Sequence, residues 1–143
     1  GMIEGAPTPE FTELVKLRAF DDKYIDTIEE RDILQQGLGL GMTVDQARQA
    51  LMSTCRSQGY ILESEISQGF LANLEFFAIR DNGLTRRTFD EACALGMVLV
   101  GKIKGEIAVR RMHCRLIDDH GLRIRKGWFF NWYASMKRGL GLV

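Results

Sequence analysis

Residues 64–100 determine the fold, and their sequence is SEISQGFLANLEFFAIRDNGLTRRTFDEACALGMVLV. In its first half, apolar side chains recur at the spacing of one helix face, at Ile66, Phe70, Leu74 and Phe77. The Asp-Asn-Gly turn at 81–83 breaks that pattern, and Thr85 can cap a new helix. The second apolar stripe consists of Phe89, Ala92, Cys93, Gly96 and Val100. The stretch therefore predicts two amphipathic helices joined by a tight turn.

Residues 43–59, upstream of this stretch, predict another helix. Thr43 and Gln46 have the spacing of a capping box, in which each side chain accepts a hydrogen bond from the other residue's backbone amide. One face of the helix carries Val44, Ala47, Leu51, Thr54 and Cys55. Gly59 is suited to the left-handed conformation that ends a helix.

A further helix is predicted before these, from Lys23 to Leu38. Asp21 and Asp22 stand where an N-cap belongs. The apolar positions of this helix are Tyr24, Ile28, Leu34 and Leu38. The glycines in the run 37–41 are expected to end it, because glycine tolerates the backbone conformation of a helix end.

Residues 1–20 are expected to form a mobile arm, because they contain both prolines, Pro7 and Pro9, and show little periodicity. Residues 21–143 are expected to form a single helical domain, since a chain of this length buries roughly 68% of its unfolded surface. That domain comprises a helical body, residues 21–100, and a basic aromatic C-terminal segment, residues 101–143.

Two interpretations remain open for residues 105–125. Val109, Met112 and Leu116 make a helical stripe that Gly121 would end. Alternatively, the Asp-Asp-His-Gly sequence at 118–121 suits the loop of a short hairpin. A last helix is expected over residues 128–138. Together the patterns predict a mainly all-α fold, a single-domain bundle of five to six helices in antiparallel pairs, with a small C-terminal hairpin as the alternative.

The formal net charge is zero, but the charges are unevenly divided along the chain. Residues 1–100 carry nine basic and sixteen acidic side chains, whereas residues 101–143 carry ten basic and three acidic ones. Such a division concerns partners and solubility and does not bear on fold. The basic part either packs against the acidic body or binds a partner.

The C-terminal segment concentrates five of the thirteen aromatic side chains within residues 128–133, between basic residues. The predicted partner-binding residues are Arg123, Arg125, Lys126, Trp128, Phe129 and Trp132. Aromatic rings in a basic frame can anchor in a protein partner, stack on unpaired bases or lie at an anionic membrane interface. The structural alternative is that the rings cover the apolar body and leave the charges in water.

Few residues suit catalysis or metal binding. His113 and His120 are the two imidazoles, and Cys114 adjoins the first, but sequence neighbours point in different directions on a helix or strand. We therefore predict no catalytic residues, no enzyme activity, no cofactor and no metal site. Three carboxylates would share one helix face, with a fourth beside them, and a solvated surface is favoured there over a cation site. They are Asp22, Asp26, Glu29 and Glu30.

The cysteines and the apolar runs bear on the cellular compartment. Cys55, Cys93 and Cys114 lack metal-type spacing and suit reduced, packed thiols. The longest apolar stretch, near 93–100, is much shorter than the roughly 20 residues that a membrane-spanning helix needs. No basic, apolar leader stands at the start. We therefore expect no transmembrane segment and a cytoplasmic location.

The segment FFAIRDNGLTRRTFDEACAL, residues 76–95, resembles the helix, Asp-Gly turn, helix element of the tellurite-resistance TerB-like domains. The likeness covers about residues 21–100, and Asn82 separates Asp81 from Gly83 where that family more usually has the acid directly before the glycine. The resemblance implies a compact all-helical module with a bacterial stress-linked or signalling role. If that family's acidic, cation-associated surface has a counterpart in this chain, Asp22, Asp26, Glu29 and Glu30 are the nearest candidates, and no binding site is carried over from the family.

These patterns lead to one functional expectation and one alternative. We expect a non-catalytic helical adapter or regulatory protein that acts by protein–protein association, with another protein or another copy of itself as its partner. The alternative is a protein that binds single-stranded nucleic acid or an anionic membrane surface through the basic aromatic C-terminal segment.

Overall fold

The computed structural model describes residues 8–143 of the chain. Six helices and two short strands form this part, and the predicted mainly α-helical fold class is confirmed. In chain order they are α1 Pro9–Arg18, β1 Tyr24–Ile25, α2 Thr27–Gly39, α3 Val44–Gln58, β2 Ile61–Leu62, α4 Glu63–Arg80, α5 Arg86–His120 and α6 Trp132–Gly139. The contacts group the residues into two compact units, divided between Ile66 and Ser67.

The first unit is built on α1, α2 and α3, which pack against one another. β1 and β2 pair in parallel beside them, with Tyr24 opposite Ile61. Gly37 lets α2 approach α3 closely, since a Cβ at this position would lie 2.9 Å from the Ala47 Cβ. The buried core of this unit consists of Phe11, Val15, Ala19, Ile25, Ile33, Met42, Ala47, Ala50, Leu51, Cys55 and Leu62.

Helix α1 corrects the prediction of a mobile arm over residues 1–20. Residues 1–7 of that arm lie outside the described residues. Thr8 caps α1 by accepting from the Phe11 amide at 3.1 Å, and Pro9 occupies the first turn, where its missing N–H has no helical partner to lose. Phe11 and Val15 are fully buried in the core of the first unit. The proline expected to loosen the chain therefore begins a packed helix.

Helix α2 begins at Thr27, later than the predicted Lys23. Its N-cap is Asp26 instead of Asp21 or Asp22. The residues just before it are extended because they pair with β2, a contact from far along the chain that no local pattern shows.

The predicted apolar stripes are confirmed for most of α3, α4 and the first part of α5. In α2 the predicted stripe is only partly correct, because Leu34 packs against the core but the fully buried positions are Ile33 and Gly37. The capping box at Thr43 and the left-handed C-cap at Gly59 bound α3 as expected. In α2, Ile28 and Leu38 are exposed. The predicted positions that are buried in α4 and α5 are Phe70, Leu74, Phe77, Phe89, Ala92, Cys93, Gly96 and Val100.

Helix α5, in the second unit, folds back on itself. Gly105 has φ 77° and ψ 168°, which are not helical, and it divides α5 into two arms, residues 86–104 and 106–120. The arms are in contact, since a Cβ at Gly96 would lie 3.0 Å from His113 Cε1. These arms correspond to the helix predicted for the stripe from Phe89 to Val100 and to the helical interpretation of residues 105–125.

The hairpin alternative for residues 105–125 is wrong. The second arm of α5 continues to His120, and Gly121, with φ 60°, ends it as a left-handed C-cap. Ile124 then forms a single parallel bridge with Leu84. The last helix begins at Trp132 and not at Trp128, because the Asn131 side chain caps it there.

Candidate partner-binding loop

The basic aromatic loop, residues 123–130, connects α5 to α6. Its backbone pairs with Leu84, whose amide donates to the Arg123 carbonyl and whose carbonyl accepts from the Arg125 amide, both at 2.8 Å. Trp132 holds the same segment by donating its indole Nε1 proton to the Arg125 carbonyl at 2.9 Å. The base of the loop is therefore fixed by hydrogen bonds to two buried residues.

The turn between α4 and α5 supports this base. The Arg125 guanidinium donates to the Asp81 carbonyl at 3.0 Å, and the Arg123 guanidinium reaches the Asn82 side-chain oxygen at 3.5 Å. Gly83, with φ 124°, leaves the necessary space, because a Cβ there would lie 2.7 Å from Arg125 Cγ. The turn predicted only as a helix connector thus also positions two of the predicted binding residues.

The tip of the loop exposes three consecutive aromatic rings. Trp128 is 95% exposed, Phe129 97% and Phe130 61%. The ring centroids of Trp128 and Phe129 lie 6.5 Å apart, at an interplanar angle of 54°. Aromatic side chains have large surfaces that favour burial, so the adjacent exposed rings make this tip the candidate interaction site.

Positive charge surrounds this tip. Arg123, Arg125 and Lys126 are all exposed, and the sequence contains no acidic residue after Asp119. Asp81 is an acidic group beside the base, and hydrogen bonding from Arg80, helped by the charges of Arg80 and Arg125, lowers the pKa of Asp81. The loop therefore presents an apolar tip on a positively charged base.

Trp132 does not belong to this exposed surface, which corrects its prediction as a partner-binding residue. It is only 6% exposed, and its ring centroid lies 5.6 Å from those of Phe89 and Tyr133. Burial among these rings gives it a structural role, and its indole proton holds the loop. Phe130, which the prediction left out, is exposed beside Phe129. Adjacency in the aromatic run was the available signal for it.

The three cysteines and His113 lie in the interior, whereas His120 is exposed. Burial raises the pKa of Cys55 and Cys114 to about 11 and that of Cys93 to about 12. His113 is fully buried, and its Nδ1 lies 2.8 Å from the Val109 carbonyl oxygen. At neutral pH the three thiols stay protonated, which suits packing in the core.

The acidic residues considered for a cation site make hydrogen bonds within the protein. Asp26 and Glu29 form the capping box of α2, and Glu30 accepts from the Ser64 hydroxyl at 2.9 Å. Asp22 accepts from a backbone amide. Among residues 8–143, no group of three or more His, Cys, Asp or Glu side chains is placed to hold a metal ion.

Comparisons of the chain with protein-family models, curated proteins and solved structures find no match. The TerB-like resemblance of residues 21–100 therefore stays a prediction. In the part of the chain that the structure describes, each helix is too short or too polar to cross a lipid bilayer.

Proposed function

We propose that this protein is a non-catalytic, cytoplasmic helical adapter or regulatory protein that acts by protein–protein association through the basic aromatic loop. The observation that carries this proposal is the almost complete exposure of Trp128 and Phe129 on a loop whose base is hydrogen-bonded to Leu84 and Trp132. A loop held at its base loses little conformational freedom on binding, which lowers the entropic cost. Trp and Arg are also the residues most often found at the energetic centres of interfaces.

The loop predicts the chemistry of its partner. Two exposed rings require an apolar pocket, and the surrounding charges of Arg123, Arg125 and Lys126 favour carboxylates around that pocket. Because salt screens exposed charges, binding should weaken with ionic strength. Ring burial is insensitive to screening, so part of the affinity should remain at high salt.

An anionic membrane surface is the second candidate, favoured by the run of Trp128, Phe129 and Phe130 at the loop tip. Trp is enriched at membrane–water interfaces, and a basic residue near an anionic surface adds about 1 kcal/mol to binding. Single-stranded nucleic acid would use the same rings for stacking. The three surfaces can be separated with defined probes.

Peptide selection and Trp128 fluorescence test the proposal together. A random peptide library displayed on phage is selected on the wild-type protein and counter-selected on a Trp128→Ala, Phe129→Ala double variant. We expect ring-dependent peptides rich in Asp, Glu and large apolar residues. Addition of a selected peptide should shift Trp128 emission to shorter wavelength. The chain has two tryptophans, and subtracting the spectrum of Trp128→Phe isolates this signal.

Phosphatidylcholine vesicles, with and without phosphatidylserine, and a poly(dT) oligonucleotide serve as the competing probes. A shift only with anionic vesicles or only with the oligonucleotide would replace protein association by that surface. A failure to select any ring-dependent peptide would contradict the proposal. Ile28→Ala is the matched control, because Ile28 is similarly exposed in the first unit and should not affect any of the signals.

A further inference from the structure

The first arm of α5 has an exposed face whose centre is apolar. We define the outer stripe as its exposed residues at helical spacing, which are Arg87, Glu91, Leu95, Val98 and Lys102. Leu95 is 49% exposed and Val98 84%, although the opposite face of the same arm is buried. Helical spacing places all five on one side of the arm. The outer stripe thus has an apolar centre and charged ends.

The outer stripe is complementary to itself when its direction is reversed. Leu95 and Val98 are symmetric in sequence about the midpoint between residues 96 and 97, and so are Glu91 and Lys102. If two copies of the arm lie antiparallel with a two-fold axis at that midpoint, Leu95 of each faces Val98 of the other. Glu91 of each then faces Lys102 of the other. A two-fold interface forms every such pair twice.

A groove of about 460 Å³ lies beside the outer stripe, between α4 and α5. Leu95 and Val98 contribute to its lining from α5, while Gly69 and Ala72 line it from α4. These small residues leave room for larger side chains from outside. The apolar lining favours side chains such as the leucine and valine that a second copy would bring.

We propose that the outer stripe is the interface between two copies of this chain, arranged antiparallel about a two-fold axis. A second copy covers the apolar centre and places Lys102 opposite Glu91, which within its own chain lies 3.4 Å from the exposed guanidinium of Arg87. The dimer goes beyond the proposed adapter function and does not involve the basic aromatic loop. It would carry two such loops and so raise the avidity for a partner with repeated sites.

The mass of the full chain in solution tests this interface directly. Light scattering after size exclusion, and sedimentation at several concentrations, should give twice the 16.2 kDa of one chain. Val98→Asp should raise the dimer Kd about ten-fold or more, because its carboxylate would be buried without a partner. Val98 is largely exposed in the single chain, so the circular dichroism spectrum should stay unchanged, which shows that the variant still folds. Ile28→Asp, at an exposed position of α2, should leave the dimer intact.

A charge exchange then tests the register of the two copies. Glu91→Lys alone and Lys102→Glu alone each place like charges opposite one another and should raise the Kd several-fold. The double variant Glu91→Lys, Lys102→Glu restores opposite charges and should return the Kd to within about two-fold of the wild type. A single-chain mass at every concentration, or a Val98→Asp variant that stays dimeric, would overturn the interface. If the Kd of the double variant does not return towards the wild-type value, the antiparallel arrangement that places Glu91 opposite Lys102 is overturned. None of these variants alters the loop, so each proposal can fail separately.

Discussion

The two tryptophans of this chain lie four residues apart in opposite environments. Trp128 stands almost fully exposed at the tip of the basic aromatic loop, whereas Trp132 is buried against Phe89 and Tyr133. Both belong to one aromatic run between basic residues, so composition does not distinguish them. Asn131 makes the difference, since its side chain caps α6 and begins the helix that buries Trp132. An aromatic run is therefore a binding surface only where the fold leaves it outside.

Replacing each tryptophan by alanine in turn should give the largest difference in the free energy of unfolding. Trp132→Ala removes a buried ring and should lower the free energy of unfolding by about 3–5 kcal/mol. Trp128→Ala removes an exposed ring and should change it by less than about 0.5 kcal/mol. Urea denaturation followed by circular dichroism measures both values. Equal losses in the two variants would show that the two rings do not differ in burial.

Tyr133→Phe should give the next largest loss in the free energy of unfolding. Tyr133, like Trp132, belongs to the buried side of the aromatic run at 128–133. The Tyr133 hydroxyl lies 2.8 Å from Asp118 Oδ1 and 3.0 Å from the Cys114 carbonyl oxygen. Removing the hydroxyl leaves these acceptors without that donor and should cost about 1–3 kcal/mol of unfolding free energy. Urea denaturation can measure this loss, with Trp128→Phe as the aromatic control that should cost almost nothing. A Tyr133→Phe variant as stable as the control would rule out a stabilising role for these hydrogen bonds.

Local signals predicted much of the fold. The capping box at Thr43, the cap at Thr85 and the glycine at 121 each satisfy backbone groups within a few residues, so their sequence patterns suffice to locate helix ends. Thr8 and Pro9 carried a signal of the same kind, an N-cap followed by a proline in the first turn. The interpretation of proline as a mark of disorder missed it.

Contacts between distant parts of the chain explain the errors. The start of α2 depends on the pairing of Tyr24 with Ile61, and the base of the loop depends on the pairing of Leu84 with Ile124. The outer stripe was missed for another reason, because residues 92–100 are apolar on nearly every side. Periodicity in such a run does not show which of its faces the rest of the fold will cover.

Lowering the pH should have the smallest effect, and His113, which lies on the buried side of the aromatic run, should contribute to it. His113 stacks on Phe70 with ring centroids 4.7 Å apart and also contacts Phe89, the ring that packs on Trp132. Burial, aided by the nearby charge of Arg110, lowers the pKa of His113, although the carbonyls of Val109 and Ala92 oppose this.

The pKa of His113 in the folded chain lies below its unfolded value of about 6.5, so the unfolded chain binds the proton more readily. The free energy of unfolding that is present above pH 6.5 is therefore lost as the pH falls. Between pH 7 and pH 6 the loss from this one group stays below about 1.4 kcal/mol. His113→Leu keeps a similar volume and should abolish this component, while His120→Leu, at an exposed position, should retain it. Urea denaturation across this range measures the slope. An unchanged slope in His113→Leu would mean that the buried ring does not control the pH dependence.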